Sequence, residues 1–258
     1  MKKSIKVRER KDTIKARKAA AAYIKSFIEK GNHKLTDYND MENGVNYRYA
    51  QFNLPAKTTC PYATTDCKKF CYARRDERYT SVRENRAASL ERSKTDSFAA
   101  DMVYTIETAF KTNRYKDSTM ILRIHESGDF YNARYLEKWI DVFSYFGFRS
   151  NKKVVFCFYT KCFEYLLNLD AERRETFYEL TRRGVVSCSL SLDKSSTPEQ
   201  VARAMKVKKL FPAVNIYFAI PENEIETIAH DDICDCADCA KCGKCVHANG
   251  KTIACAIH

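Results

Sequence analysis

The sequence predicts an α/β fold, a partial (β/α) barrel, and two observations carry this prediction. Between residues 45 and 225, short runs rich in β-branched and aromatic residues alternate with runs of helical periodicity. Five strands separated by helices are typical of right-handed βα units around a parallel sheet. The 258 residues suit one such domain with a small appendage. A complete barrel and an open doubly wound sheet are the alternatives that the same pattern allows.

The first half of this domain contains two of the five strands. Val45–Leu54 (VNYRYAQFNL) has the aromatic and β-branched composition of a strand, and a loop with three cysteines follows it. Helical stretches are predicted at Thr80–Ser93 and Thr95–Lys111. Thr119–His125 is the second strand, ended by a turn, and Asn132–Phe146 is the helix after it.

The second half continues the alternation. A helix is predicted to begin after Thr197, because threonine can cap a helix and Pro198 suits its first turn. The other predicted elements are the strands Lys153–Tyr159, Val185–Leu192 and Val214–Ile220 and the helices Cys162–Asn168 and Ala171–Arg183. Three regions follow from these boundaries: a basic N-terminal helix at 1–31, an α/β partial-barrel domain at 45–225, and a cysteine-rich tail at 226–258.

The positive charge is concentrated at the N-terminus. The net charge is +12, and residues 1–30 contribute +8 of it through eleven Lys and Arg against three acidic residues. Clustered positive charge of this kind favours a nucleic acid partner, because phosphate contacts release counterions. A solvated helix whose apolar stripe docks on the main domain is the competing interpretation.

The sequence also indicates a compartment. No run approaches the roughly 18 apolar residues needed to cross a bilayer, and the basic N-terminus lacks the apolar stretch of a secretory signal. We therefore expect a cytoplasmic protein with no membrane partner. Disulfides are unusual there. Twelve cysteines need another explanation, and metal binding is the leading one.

The strongest motif lies in the tail, where four cysteines follow one another at two-residue spacing. This spacing is typical of iron–sulfur clusters. Zinc is the alternative metal, although zinc ribbons separate their two cysteine pairs by a dozen or more residues. The predicted tail ligands are Cys234, Cys236, Cys239, Cys242, Cys245 and Cys255.

A second group, Cys60, Cys67 and Cys71, lies in the loop after the first strand. Three cysteines without a nearby fourth suit a cluster with one open iron position. The alternative is a structural zinc or cluster site whose fourth ligand is distant in sequence. Loops at the carboxyl ends of parallel strands carry the chemistry of α/β folds, and this loop is one of them. The remaining cysteines, in or beside apolar elements, are predicted to be buried and inert: Cys157, Cys162 and Cys188.

Three further residues at strand ends are candidates for ligand contacts. His125 is interpreted as a core histidine rather than a catalytic one, and Asp193 as a turn residue or a contact to a polar ligand group. Arg123 would be an anion-binding candidate if its strand turned it into a barrel interior.

Three blocks of sequence carry a resemblance to a known family. They are FNLPA at 52–56 with the three loop cysteines, HESGDF at 125–130, and the end of the tail from 252 to 258. In this order they resemble the phage and plasmid family named gene product eighty-eight, over residues 45–258. The resemblance implies a mobile-element origin and a bacterial host cell, but it does not indicate which activity the protein has.

The arrangement also resembles radical S-adenosylmethionine (SAM) enzymes, which hold a 4Fe–4S cluster by three cysteines after the first strand. That resemblance implies that Phe70 lies near the adenine, and that Ser127, Gly128 and Asp129 meet the SAM amino group. It also implies a backbone contact to adenine at 220–222. The cysteine spacing here is x6 and x3 instead of x3 and x2, and Asp129 stands where that family has glutamate.

Two functions are therefore expected. The first is a radical-SAM-like enzyme with one or two 4Fe–4S clusters, SAM, and a reductant such as flavodoxin or ferredoxin. The second is a non-catalytic iron–sulfur or zinc protein that binds nucleic acid or a host partner through residues 1–30. The sequence names no substrate.

Overall fold

The computed structural model describes residues 37–41, 43–221, 231–234, 246 and 249–257. The predicted basic helix at 1–31, with the nucleic acid contact expected of it, lies outside these residues, so both stay predictions. Four of the predicted tail ligands also lie outside them: Cys236, Cys239, Cys242 and Cys245.

One curled sheet organises the described part of the chain. Its strands are β1 (Tyr38–Asp40), β2 (Val45–Phe52), β3 (Thr119–Ile124), β4 (Val154–Thr160), β5 (Val186–Asp193), β6 (Asn215–Pro221), β7 (Asp232–Cys234) and β8 (Thr252–Ile257). They lie in the order β1-β2-β3-β4-β5-β6-β8-β7. β1 pairs antiparallel with β2, and the other seven strands run parallel as a half barrel. This confirms the α/β class and the partial barrel.

Helices follow the parallel strands from β2 to β5, in the order expected of βα units. Two short helices lie inside the cysteine-bearing loop after β2. The described helices are α1 (Thr65–Lys69), α2 (Ala73–Asp76), α3 (Thr80–Lys94), α4 (Phe98–Ala109), α5 (Ala133–Phe148), α6 (Phe163–Leu167), α7 (Ala171–Arg182) and α8 (Pro198–Leu210). Among the described residues, no helix is both long and apolar enough to cross a membrane.

The main core lies between the helices and one face of the sheet. Strand residues such as Ile124 and Phe156 form one buried cluster with residues of α4 to α8. Trp139 of α5 is fully buried, and its ring meets Phe52 and Phe98 edge-on, with 5.3 Å between centroids in both pairs. Such aromatic pairs add about 0.5–1.5 kcal/mol each beyond their buried area, so they fix β2 against the helical layer.

The other, concave face of the half barrel has a different character. Near the middle of strands β2, β3 and β4, Tyr49, Ile121 and Cys157 form a separate small apolar cluster, which we call the apolar floor. Tyr38 of β1 and Val246 of the tail pack against it. Active sites of parallel barrels lie further along, at the carboxyl ends of the strands.

The predicted tail adds to this sheet. β8 pairs with β6 over six residues, and β7 pairs with β8, so the described tail strands extend the sheet of the main domain. The burial predicted for Cys157, Cys162 and Cys188 is confirmed.

Candidate functional site

The candidate site is built on residues 53–79, which connect β2 to α3 and which we call the cysteine loop. It lies at the carboxyl end of the parallel strands, where the βα connections of a barrel gather. Cys60, Cys67 and Cys71 all lie in it, each partly buried. Phe70, the residue expected to lie near an adenine, is 54% exposed beside the third cysteine.

The three thiols are close enough to affect one another electrostatically. The pKa of Cys60 is raised to about 12, mainly by burial and also by Asp129 and the other two thiols, against the lowering effect of a backbone hydrogen bond at Lys57. Burial also raises the pKa of Cys67, against the opposing effect of the Lys161 ammonium group. Both thiols are therefore protonated at neutral pH in the metal-free chain. A protonated thiol is not an activated nucleophile, and it would have to lose its proton to bind a metal.

Asp193, at the end of β5, anchors the first part of the cysteine loop. Its side chain is 5% exposed and accepts from the Thr64 hydroxyl at 2.5 Å and the Ser195 amide at 3.0 Å, and it pairs with Lys161 at 2.9 Å. Thr64 also caps α1 by accepting from the Cys67 amide at 3.2 Å. Burial acts to raise the pKa of Asp193, but Thr64 and Lys161 outweigh it and hold the pKa below its usual value.

Arg86 of α3 anchors the last part of the loop. It is 5% exposed and donates to the Ala73 carbonyl at 2.7 Å and to Glu77 Oε1 at 3.1 Å. The same Glu77 oxygen accepts from the Ala56 amide at 2.6 Å. The segment that carries Cys71 is therefore tied both to α3 and to the start of the loop.

The turn after β3 packs directly against the cysteine loop. The Ser127 hydroxyl donates to the Leu54 carbonyl at 2.8 Å, and the Leu54 amide donates to the Ser127 carbonyl at 2.9 Å. Gly128 has φ +91°, and a Cβ built on it would lie 2.6 Å from Thr59 Oγ1 and 2.7 Å from Leu54 Cβ. These two residues, expected to bind a cofactor, hold the two loops together.

Asp129 is buried at the junction of this turn with β4. Its carboxylate accepts from the Thr160 hydroxyl at 2.7 Å and from the Lys161 amide at 3.0 Å. Burial raises its pKa, although both of these hydrogen bonds lower it. It does not cap α5, because Asn132 accepts from the Tyr135 amide at 2.8 Å and takes that role.

His125 is a core residue, as predicted. Its Nε2 lies 2.9 Å from the Tyr135 hydroxyl, and its ring meets Phe130 edge-on at 4.8 Å. Burial lowers its pKa to about 3, so the imidazole is neutral at physiological pH. Its φ of +62° is rare outside glycine, and it turns the chain from β3 into the following loop.

Two of the predicted tail ligands lie on neighbouring strands. Cys234 of β7 and Cys255 of β8 are register partners, and Ala219 of β6 is the partner of Cys255 on its other side. Adjacent strands lie about 4.8 Å apart, so the two cysteines are next to each other in the sheet.

The described residues contain no group of three or more His, Cys, Asp or Glu side chains able to hold a metal ion. The fold gathers three cysteines on the anchored loop and two on β7 and β8. The other four predicted tail ligands lie outside the described residues.

Sequence reasoning missed the residues that position the loop. Lys161 and Thr64 were not among the predicted site residues, and Asp193 was predicted to be a turn residue or a contact to a polar ligand group, not the anchor of the loop. Lys161 could have been found from its position, because it is a cation directly after the buried strand β4. A lysine buried there needs a carboxylate partner, and Asp193 is that partner.

Comparison with known proteins identifies the family of this chain. No curated protein and no solved structure matches the chain. The family model described as Gene product 88 matches residues 26–248, which is most of the sequence. This confirms the resemblance stated from the sequence blocks and lends no support to the likeness to radical SAM enzymes. The chain belongs to the gene product 88 family.

Proposed function

We propose that this protein is an iron–sulfur protein with a radical-SAM-like site. Cys60, Cys67 and Cys71 would ligate a 4Fe–4S cluster and leave one iron open to a small molecule, for which SAM is the proposed occupant. The observation that carries this is the position of three cysteines on one anchored loop, at the carboxyl end of a parallel half barrel.

A cluster suits these thiols better than a single zinc ion. Zinc–sulfur bonds of about 2.3 Å in a tetrahedron bring the sulfurs to roughly 3.8 Å from one another. The described residues contain no such close group. In a 4Fe–4S cluster each cysteine binds a separate iron, so its ligands stand further apart. The three thiols lie within electrostatic range of one another, which fits this second arrangement.

The chain supplies the surroundings of the cluster. When bound, the cluster would deliver single electrons from a reductant such as flavodoxin or ferredoxin to the molecule on its open iron. Lys161 places a positive charge beside Cys67, which favours thiolate over thiol. Asp193 fixes this ammonium group at 2.9 Å, and Gly128 lets the neighbouring loop approach closely.

We further propose that the tail holds an auxiliary cluster. Cys234 and Cys255 occupy register positions next to each other, which supports their acting on one centre. Val246, which follows Cys245 in the sequence, packs on the apolar floor of the concave face. The proposed ligands are Cys234, Cys236, Cys239, Cys242, Cys245 and Cys255.

The deciding measurement is the iron, sulfide and zinc content of protein purified without oxygen. We expect a coloured protein with about four iron and four sulfide per cluster. The triple variant C60A/C67A/C71A should lose one cluster, whereas the buried-thiol control C188A should lose none. A colourless protein with stoichiometric zinc would contradict the proposal.

The SAM part has a separate test. Reduced protein is incubated with SAM, and 5′-deoxyadenosine is measured by chromatography. We expect this product in the wild type and none in C60A/C67A/C71A. If there is no product and SAM does not change the EPR signal of the cluster, the SAM site is wrong while the cluster stands.

A further inference from the structure

A band of polar side chains crosses the concave face next to the apolar floor, and the proposed cluster does not use it. Gln51 of β2 is the register partner of Arg123 of β3, and Ser191 of β5 is the partner of Tyr217 of β6. Tyr159 of β4 lies between them on the same face. We call these five residues the polar band.

Arg123 is the charged member of the band, and its contacts are incomplete. Its guanidinium carbon lies 5.0 Å from the centroid of the Tyr159 ring, and that ring meets Tyr217 edge-on at 4.7 Å. Within the described part of the chain, Arg123 forms no ion pair and donates no hydrogen bond, and its Nε is buried without a partner. Arg86, the buried arginine of α3 that anchors the cysteine loop, has both a carbonyl and a carboxylate partner.

The buried Nε of Arg123 is costly without a hydrogen-bond partner, because water has been removed from this donor and nothing has replaced it. Glu126 is close enough to influence Arg123 electrostatically but not to pair with it. Arginine keeps its charge in proteins, so it cannot escape this cost by losing a proton. The forked donors of arginine fit a carboxylate or a phosphate group.

The same arginine lies close to the cysteine loop. Tyr72, the residue after Cys71, is within electrostatic range of Arg123, and its hydroxyl donates to the Glu126 carbonyl at 3.1 Å. An anion held by Arg123 would therefore lie on the concave face below the loop, beside the rings of Tyr159 and Tyr217.

We propose that Arg123 binds the carboxylate or phosphate group of a small organic substrate on the concave face, with Tyr159 and Tyr217 against its carbon skeleton. The inference deepens the proposed function by naming the class of its substrate. It has its own test, because the sheet alone forms the polar band and binding can be measured whether or not a cluster is present.

Calorimetric titration with three probes tests this directly. Phenyl phosphate and benzoate carry the two anionic groups on a ring, and phenol is the neutral comparison. We expect at least one anion to bind the full-length wild type and phenol to bind at least tenfold more weakly. R123Q should weaken anion binding at least tenfold. R123K replaces the forked guanidinium donors with a point charge, so its affinity should lie between those of the wild type and R123Q.

R183Q is the matched control. The Arg183 guanidinium also lies 5.0 Å from an aromatic ring, that of Phe148, but it is exposed on the outside of the molecule. This variant should bind the anions as the wild type does. Equal binding by R123Q and the wild type, an equal loss in R183Q, or binding of neither anion by the wild type would overturn the proposal.

Two measurements separate this result from misfolding and from failure of the proposed cluster. R123M removes the unpaired charge and should unfold at a temperature no lower than the wild type while losing the anion. Iron and sulfide contents of R123Q should match those of the wild type, so a lost cluster and a lost anion site are distinguished. A large fall in the unfolding temperature of R123M would show that Arg123 is structural and would overturn the proposal.

Discussion

At the scale of single residues, Gly128 shows how closely the turn after β3 approaches the cysteine loop. G128A should destabilise the protein by about 3 kcal/mol, because it adds two close contacts to a left-handed backbone. Gly184 is the control, since it has φ +70° but open space where a Cβ would be. G184A should cost about 1 kcal/mol from the backbone alone. Urea unfolding measures both, and equal costs would contradict the close packing of the loops.

Asp193 is the second residue on which the site depends. D193N should cost about 3 kcal/mol at pH 7, because it leaves Lys161 buried without a counter-charge. Since folding lowers the pKa of Asp193, its charge stabilises the protein fully above the usual carboxyl pKa of about 3.9 and progressively less as pH falls below it.

The difference in unfolding free energy between wild type and D193N should therefore be largest at neutral pH and shrink in acid. D170N is the control: Asp170 pairs with Arg173 on an exposed helix end, and asparagine caps a helix as well as aspartate does. It should cost much less than D193N. A difference for D193N that does not change between pH 7 and pH 3 would contradict the assigned charge.

At the scale of elements, a capping box between Thr197 and Gln200 fixes the start of α8. The Gln200 side chain also donates to the Tyr62 carbonyl of the cysteine loop at 3.2 Å. T197A should cost about 1 kcal/mol through the lost cap. Ser97 holds the same position in α4 without a side-chain cap bond, so S97A should cost less. Chemical unfolding compares them, and a larger loss in S97A would contradict this account of the cap.

The long, regular elements were predictable from sequence because their patterns are strong. Strands β3 to β6 begin and end within two residues of the predictions, and the cap at Thr197 is where the sequence placed it. The three-residue strands β1 and β7 give no periodic signal at that length. α1 and α2 are short, and the bonds that hold them come from Asp193, 129 residues beyond Thr64, and from Arg86 on the next helix, 13 residues beyond Ala73. No local sequence pattern predicts such partners.

At the scale of the whole molecule, the half barrel places helices on one face and leaves the concave face to the strands and the tail. Sequence reasoning found the cysteine loop, because cysteine spacing and its position after a strand are local features. It left the orientation of Arg123 open, because one residue of register decides which face a strand side chain occupies. The observed register puts Arg123 opposite Gln51 and Cys157 on the concave side.

The tail should unfold together with this half barrel, because β8 completes the sheet beside β6. Ile253 of β8 is fully buried, whereas Ile233 of β7 is 40% exposed. I253A should destabilise the protein by about 3 kcal/mol, and I233A by less than about 1 kcal/mol. Circular dichroism and tryptophan fluorescence, followed in the same urea titration, should report one shared transition in both variants. An I253A variant whose Trp139 fluorescence transition stays at the wild-type midpoint would mean that the tail folds apart from the α/β domain.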